Sequence, residues 1–489
     1  MKRYLLPALL LCCTAPLFAQ FATDVLRYSY LQPGGTARSL GAGGAFGALG
    51  AEFSTLSQNP AGLAMFRTSE LVLTPSLRFA NSDAQLEGSS SKWDDHKSNF
   101  GFDNFGLVFN TTPGNKKWKT FNVGIGLNRM NNFNQSIFYQ GTANGSVLNG
   151  FFDNAVAAGS EENFDPFTSQ MAFDAQAIYY QNDMLTYDLA GNENAVLDRS
   201  HSVTTFGRMN EMVISFAGNY DEKLMIGATI GVPFVNYRLE GEYKETDPGG
   251  AVDGNVPYFD NLTYTDYLRT EGVGVNGKFG LIYRVDQMFR VGVALHTPTI
   301  IGLTDTYSNT FQYEYTDGNG AQTYDAQSPE GRSDYRLRTP WRAIASGAVV
   351  FKKYGFLSAD VELVDYTTNN FNLTADVAST DNELIERELN RDIHKLYKQT
   401  ANIRVGGELA LDKFRIRGGV NMLGKPLESQ NGYNLAYTGG VGVRGDAFYI
   451  DLGYRRYTGK GSVQPYPDAP VATMDVVNNE LLFTLGIKF

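Results

Sequence analysis

The C-terminal stretch, residues 480–489, constrains the fold of this chain more than any other. Leu481, Phe483, Leu485, Ile487 and Phe489 fall on one face of a period-two pattern, while Glu480, Thr484, Gly486 and Lys488 fall on the other; Leu482 is the one exception. Successive side chains of a β-strand point to opposite faces, so this is a strand with one apolar and one polar side. The apolar side must meet either a dry core or lipid. The pattern recurs upstream, at Phe121, Val123, Ile125 and Leu127, at Leu224, Ile226, Ala228, Ile230 and Val232, at Leu357, Ala359, Val361 and Leu363, and at Phe414, Ile416, Val420 and Met422. The interleaved residues (Asn122, Gly124, Gly126 and Asn128; Thr229 and Gly231; Ser358, Asp360 and Glu362; Arg415, Arg417 and Asn421) are polar or glycine, which suits a barrel lumen better than a dry core.

The other end of the chain speaks to compartment. Lys2 and Arg3 precede an apolar stretch from Tyr4 to Phe18, broken by Pro7 and Pro16, and Leu17-Phe18-Ala19 offers a small residue before Gln20. That order predicts a signal peptide over residues 1–19, too short and too interrupted for a stable span. Cys12-Cys13 lack the small residue a lipobox needs, because Leu11 stands before them. Cleavage after Ala19 removes both cysteines, so neither a disulfide framework nor a thiolate metal site is expected. The formal charge of −11 becomes −13 on losing Lys2 and Arg3, 39 basic residues against 52 acidic. With no basic block, nucleic acid is not an expected partner. No apolar run after Gln20 approaches the roughly 18 residues of a membrane helix. Aromatic residues at 13% together with 52 glycines then favour a transmembrane β-barrel, whose lipid face and girdles consume aromatics.

Connections give an independent test, since such barrels have short turns at one end and long loops at the other. A coarse count gives about fourteen strands from near Leu71 onward. The short links expected are 220–223, 285–287, 352–355, 412–413 and 445–446, and the long ones are roughly 87–99, 140–202, 245–262, 317–332, 374–399, 424–434 and 459–477. Two long links are not simply polar. Phe151, Phe152, Met171 and Phe173 make 140–202 a candidate apolar capture site, although helices that merely cap the barrel mouth would look the same. Leu384, Ile385, Leu389, Ile393 and Leu396 predict an amphipathic helix from Asp381 to Gln399.

Residues 20–70 do not read as strand. Gly34 to Phe46 is dense in small residues, and Ser57-Gln58-Asn59-Pro60-Ala61-Gly62-Leu63-Ala64 follows. Glycines permit close backbone approach, and Asn-Pro favours a turn, as a compact plug requires. The Lys-Ser/Thr of a phosphate-binding loop is missing and no βαβ unit surrounds the run.

Gly41-Ala42-Gly43-Gly44-Ala45, Ser54 and Asn59-Pro60-Ala61-Gly62-Leu63 resemble the FadL-type outer-membrane transporters of long-chain fatty acids and aromatic hydrocarbons. Thr339-Pro340-Trp341-Arg342 and the segment 357–366 look like the branch common in Bacteroidetes. The resemblance implies an all-β fold: an antiparallel fourteen-stranded transmembrane barrel over 71–489, with a hatch formed by residues 20–70 in its lumen. It implies gating roles for Gly41, Gly43, Gly44, Asn59, Pro60 and Ala61, a hatch block near a kinked third strand, and lateral exit of ligand at that kink. Asn128, Asn131 and Asn132 suit such a kink, though an Asn-rich lumen lining explains them equally well. The terminal Phe489 resembles the signal read by the barrel assembly machinery.

The expected function is passive outer-membrane transport of a hydrophobic small molecule, captured at the outer loops and released sideways into outer-membrane lipid, with no cofactor, metal or catalytic residue. A scaffold barrel of a type IX-like secretion system shares the same architecture and remains the alternative, with a secretion-system component as partner. Haem binding would need an axial pair, and His96, His201, His296 and His394 form none that is recognisable. A hydrolase would need a placed nucleophile, and Asp94-Asp95-His96 is the one local constellation that invites the idea.

Overall fold

A computed structural model of the protein describes residues 25–113, 117–250, 254–373 and 380–489. The expected signal peptide and both cysteines lie outside the described residues. One continuous sheet of nineteen strand segments makes up the wall. Because several strands are interrupted and resume, these segments form a 14-strand antiparallel barrel. In chain order the wall strands are β1 (Glu70–Leu86), β2 (Trp93–Thr111), β3 (Trp118–Asn132, resuming as Gln135–Asn144), β4 (Val196–Tyr220), β5 (Leu224–Thr246), β6 (Phe259–Arg284) and β7 (Phe289–His296, resuming as Ile300–Asp317). They continue as β8 (Gly320–Gln327, Gly331–Arg338 and Arg342–Val350), β9 (Gly355–Asp365, then Asn370–Asn372), β10 (Gln399–Leu411), β11 (Phe414–Gly424), β12 (Tyr433–Arg444), β13 (Phe448–Val463) and β14 (Ala472–Lys488). Each strand pairs with the next, and β1 pairs with β14 from Glu70↔Lys488 to Leu86↔Ala472, so the sheet closes. Closure leaves no edge, which a membrane span requires.

The alternation in sequence becomes a belt on the outside of the wall. Phe100, Phe279, Phe414 and Phe483 are 61, 56, 62 and 43% exposed, and Val293, Leu357, Val405 and Val441 also point outward. In water that much contiguous apolar surface would drive aggregation; in a bilayer it is the lipid face, about 25 Å tall. Among the described residues no helix is long and apolar enough to cross a membrane.

The short links fall where expected, between β4 and β5, β7's start and β6, β8 and β9, β10 and β11, and β12 and β13. The long links are shorter than the sequence suggested. β2 begins at Trp93, β3 runs on to Asn144, and β7 and β8 meet through Gly318 and Asn319 alone. These upper segments escaped detection because both faces there are polar; backbone pairing holds them, and pairing leaves no apolar period. β4, 25 residues long, spans roughly 80 Å at about 3.3 Å per residue, far more than the 9–11 residues a bilayer takes. The wall of β4–β8 therefore rises well above the belt. The amphipathic helix is present as Thr380–Leu396, burying Leu389 and Ile393 and leaving Leu384 and Leu396 exposed.

The lumen is filled. Residues 25–69 lie inside the ring of strands, with α1 (Ala37–Gly41) and two 3₁₀ turns, Phe53–Ser57 and Pro60–Met65. Thr36 caps α1 by accepting from Ser39 N, and Asn59 caps the second turn by accepting from Ala61 N at 3.2 Å, with Pro60 at the position where a missing N–H costs nothing. Wall glycines let this segment lie directly on strand backbone. A Cβ at Gly406 would sit 2.0 Å from Ala42 O, at Gly453 2.6 Å from Ala37 O, at Gly292 2.3 Å from Gly47 O, and at Gly280 2.0 Å from Asn59 Oδ1. Phe53, Leu56, Leu63, Met65 and Phe66 close the short-turn end with Val72, Val213, Met225 and Ile282 of the wall.

Gly406→Ala should lower stability by about 1–3 kcal/mol through overpacking against Ala42, whereas Gly347→Ala, with nothing within 4 Å of its Cβ, should leave it unchanged. Urea unfolding of both variants, followed by the heat-modifiable gel migration of the barrel, checks the contrast.

Candidate functional site

The ladder between β2 and β3 has a seam. β2 and β3 pair from Thr111↔Phe121 up to Asn104↔Asn128 and no further, although β2 continues to Trp93. Beyond Asn128 the register of β3 against β4 slips between Arg129 and Asn131, and the strand breaks before resuming at Gln135. The extra residue bends the strand, as a bulge does. Its resumed part stays paired with β4, from Gln135↔Thr205 to Asn144↔Val196, but turns inward across β1 and β2: Ser82 Oγ donates to Ser136 O at 2.6 Å, and Trp93 Nε1 donates to Gln140 O at 3.0 Å. Between Phe102 and Trp93, therefore, β2 has a backbone partner on its β1 side only.

Side chains close the gap in place of a backbone ladder. Asn104 Nδ2 donates to Asn128 Oδ1 at 2.7 Å, and Arg129 donates to Phe102 O at 2.9 Å. Arg129 also pairs with Asp103 at 2.9 Å, with both side chains buried. Asn132 Nδ2 reaches Asn99 Oδ1 at 3.4 Å, and Lys97 Nζ reaches across to Thr205 O at 3.0 Å. Phe206 lies between Lys97, 3.1 Å from its ring centre, and Arg238 at 4.2 Å. Of the residues that the sequence singled out for a kink, Asn128 bridges the last ladder position, while Asn131 and Asn132 sit in the break. Sequence reading missed Arg129, Asp103 and Lys97. Their signal is a charge at an inward position whose inward neighbours are Asn99, Gly101, Asn104, Gly126 and Asn128.

The N-terminal segment covers the inner side of this seam. Gln32 N donates to Met130 O at 3.2 Å and Gly34 N to Arg129 O at 2.9 Å, so the segment takes up carbonyls that β3 exposes by leaving β2. Asn131 Nδ2 donates to Arg27 O and Tyr30 O, each at 3.2 Å. Val25 and Tyr28, helical and fully buried, fill an apolar cluster formed by Met130 and Phe133 at the kink with Met209, Val235 and Tyr237 beside it. Beneath lies a cavity of about 90 Å³ with a mixed lining that includes Leu31, Met130, Leu423, His296, Arg342 and Arg404. Glu362 accepts from Arg342 at 2.8 Å and also from Arg404.

The small-residue block sits elsewhere. Asn59 and Pro60 dock on β5 and β6 at Gly227 and Gly280, with Asn59 Nδ2 donating to Leu281 O at 3.4 Å. Only their neighbours reach β3: Leu56 and Leu63 pack over Gly124, and Asn128 Nδ2 donates to Ser57 Oγ at 2.9 Å. Asn59, Pro60 and Ala61 are thus not at the kink itself. Gly41 rests on Gly440, and Gly43 and Gly44, with φ of +69° and +67°, lead the chain past Val405 and Arg404. At both positions any other residue would be strained.

Phe151 and Met171 are buried, in a packed core between the long outer loop and the tall wall of β4–β7. α2 (Val147–Ala158) and α3 (Ser169–Asp174) carry them, against Tyr243, Phe259, Phe311 and Tyr313. Phe152 stacks on Tyr187 at 4.3 Å, and Phe173 meets Phe164 and Tyr180 edge-on. The four residues are joined in one cluster, but as a filled core and not as an open groove. Glu245 tethers it, accepting from Val147 N at 3.1 Å and from Tyr243 at 2.7 Å at the start of α2. Burial raises the Glu245 carboxyl above the usual range despite Arg199 nearby. His201, buried between Tyr139 and Tyr243, is pushed down by burial to about 4. His296 faces Gln58 O at 2.8 Å. Asp95 accepts from Ser136 at 2.6 Å, but strand alternation puts His96 on the opposite face, so Asp94-Asp95-His96 assembles no relay.

No family model and no curated protein matches the sequence. Among solved structures, a FadL homologue from Pseudomonas aeruginosa superposes with a TM-score of 0.52 at 13% identity, covering 94% of this chain and 98% of its own. The Pseudomonas putida toluene transporter TodX gives the same score and identity, covering 94% and 99%. At such low identity the likeness speaks to architecture, and it extends over nearly the whole of each chain. The chain has the fold of the FadL-type outer-membrane hydrocarbon and fatty-acid transporters.

Proposed function

We propose that this protein is an outer-membrane channel through which hydrophobic small molecules, such as long-chain fatty acids, pass without an energy source and leave sideways through the seam between β2 and β3. The supporting observation is the coincidence of two features. The backbone ladder stops at Asn104↔Asn128, and an apolar cluster (Met130, Phe133, Met209, Val235 and Tyr237) lies directly behind the gap. Residues 20–70 act as the hatch, after removal of residues 1–19 by the export machinery. Within it the glycine-seated part, Ala37 to Met65, is the fixed body, and Val25 to Gly34 is the part that yields. An incoming apolar ligand replaces Val25 and Tyr28 against the cluster, gaining about 25 cal/mol per Å² of apolar surface removed from water. Loss of the bonds from Gln32 and Gly34 to β3 then frees the kink. Gly41, Gly43, Gly44, Asn59, Pro60 and Ala61 serve by holding the hatch body, and capture begins at the outer loops around Phe152 and Phe173. The fold is shared with transporters of toluene as well as fatty acids, so the ligand class is set by apolar character rather than by a headgroup. The finer placement, in the branch common in Bacteroidetes, rests on Thr339-Pro340-Trp341-Arg342 and residues 357–366.

The second reading, a scaffold barrel for a secretion-system component, draws on the outer rim. There Tyr180, Met184 and Tyr258 are 50, 69 and 55% exposed at the ends of the tall loops. Affinity isolation of the full chain from its own membranes separates the two: a stoichiometric large partner supports the scaffold, and a co-purifying apolar molecule supports the channel.

Cysteines at Asn99 and Asn132, whose amides face each other across the seam, test the route. With the pair cross-linked, uptake of labelled fatty acid by a transporter-null strain should fall to the vector level, and reduction should restore it. Wild-type uptake through a fully cross-linked seam would sink the lateral route. Arg129→Ala strands the buried Asp103 carboxylate, and breaking such a pair costs about 3–5 kcal/mol. Hydrogen exchange should rise at residues 99–104 and 129–132 while β13 and β14 stay protected; uniform loss of protection would mean that the pair holds the whole barrel.

A further inference from the structure

Immediately above the apolar belt, the outward face of the tall wall carries Arg208 on β4, Arg238 on β5, Arg269 on β6, and Arg332, Arg336 and Arg338 on β8. Register places them on a few adjacent rungs. Arg238 lies directly across from Arg269; Arg269 is paired with Thr306, and Thr306 with Arg332. Like charges directly opposite each other destabilise a sheet unless an anion lies between them. The carboxylates present do not balance the set. Glu240, Glu271 and Asp334 each serve the arginine two residues away on the same strand, at 3.3, 2.6 and 3.3 Å. Arg208, Arg336 and Arg338 have no ion pair among the described residues. The excess is positive, on a chain whose formal charge is −11.

The height of this face matters as much as its charge. Arg338 is paired with Ile300, and Ile300 with Val275, both 53% exposed; Phe234 and Val273 end the belt on β5 and β6, and Trp341 stands at its rim. Acyl chains below and anionic groups above would therefore be met by one continuous surface. Across the barrel at the same level the wall is not basic in this way: Arg456 donates to Asn479 at 3.2 Å, and Lys92 and Lys460 share Asp475.

We propose that the outward face of β4–β8 binds a phosphorylated glycolipid of the outer leaflet, a lipid A, with its acyl chains on Phe234, Val273, Ile300 and Trp341 and its phosphates on Arg208, Arg336 and Arg338, bridging Arg238 and Arg269. A saccharide headgroup carrying two separated phosphates spans several strands at about 4.8 Å each. Guanidinium forks suit phosphate oxygens geometrically, and their stems lie along apolar surface while the heads reach the headgroup layer. A zwitterionic or uncharged lipid would leave Arg208, Arg336 and Arg338 without a counter-ion. The inference rests on the outer-membrane reading of the barrel and is independent of what the lumen conducts.

The test is native mass spectrometry of the full mature chain in a non-ionic detergent, titrated with bis-phosphorylated lipid A, with dephosphorylated lipid A and with phosphatidylglycerol. Binding of the bis-phosphorylated form should exceed that of the other two by tenfold or more. The excess should vanish in the Arg208→Gln/Arg336→Gln/Arg338→Gln variant and persist in Arg456→Gln. Should the triple variant fail to give a heat-modifiable folded band, Arg338→Lys, which keeps the charge and loses the fork, should still weaken binding several-fold. Equal retention of phosphatidylglycerol, or undiminished lipid A binding by the arginine variants, would overturn the site. Fatty-acid uptake by the same variants reads the channel separately, so each reading can fail on its own.

Discussion

Everything in this molecule depends on where backbone hydrogen bonds go. In hydrocarbon each unpaired N–H or C=O costs several kcal/mol, so a wall of strands is stable only if its ladder closes on itself. Here it closes from β1 round to β14, and between β2 and β3 it stops where β3 leaves β2 at Asn128. Phe102 O is then met by Arg129, and the carbonyls of Arg129 and Met130 by Gly34 and Gln32 of the lumen segment, while Asn132 and Lys97 reach across to Asn99 and Thr205. The seam is thus a place where side chains do what backbone does elsewhere. Side chains can rotate away without unzipping a strand, and that difference makes this part of the wall the one suited to opening.

The filling of the barrel follows from a second constraint, the thickness of a side chain. A ring of fourteen strands leaves room for a chain segment at its centre only where the wall residues facing it are small. Gly406, Gly453, Gly292 and Gly280 provide that room by letting Ala42, Ala37, Gly47 and Asn59 touch strand backbone. The abundance of glycine in the chain, which on composition alone could mean flexibility, here means close packing. A segment seated in this way is not readily displaced as a body. The stretch without such a seat, Val25 to Gly34, is held by an apolar cluster and a few hydrogen bonds, which supports the proposal that it is the part that yields.

The belt strands were legible because lipid imposes the same period on them that a core would, with a polar partner face to sharpen it: Phe121 to Leu127 and Leu481 to Phe489 could be read residue by residue. The upper ends of β4–β8 were not, because water on one side and a polar interior on the other erase the period, and residues such as Asp198, Ser200, Asn261 and Thr323 read as loop. Helix Thr380–Leu396 was visible from its apolar spacing to within a few residues. The kink was visible as a cluster of asparagines but not as a seam. Nothing in Arg129 or Asp103 alone says that they face each other, and only register reveals that β2 has lost its partner. Phe151 and Met171 lie in one cluster, but sequence cannot distinguish an open groove from a filled core; Tyr243, Phe259, Phe311 and Tyr313, distant in the chain, fill it.

A comparison of magnitudes separates the two conceivable ways through the barrel. Removing the hatch body would expose the cluster of Phe53, Leu56, Leu63, Met65 and Phe66, each worth about 1.5–3 kcal/mol when buried, and would break its polar anchors to Asp360, Thr484 and Glu408 besides. That sum approaches the stability of an entire domain. Opening the seam separates the buried Arg129–Asp103 pair, at about 3–5 kcal/mol, breaks a few side-chain hydrogen bonds of roughly 0.5–1.5 kcal/mol net each, and displaces Val25 and Tyr28. The second cost is the smaller of the two, which supports the proposed lateral opening with Ala37 to Met65 still in place.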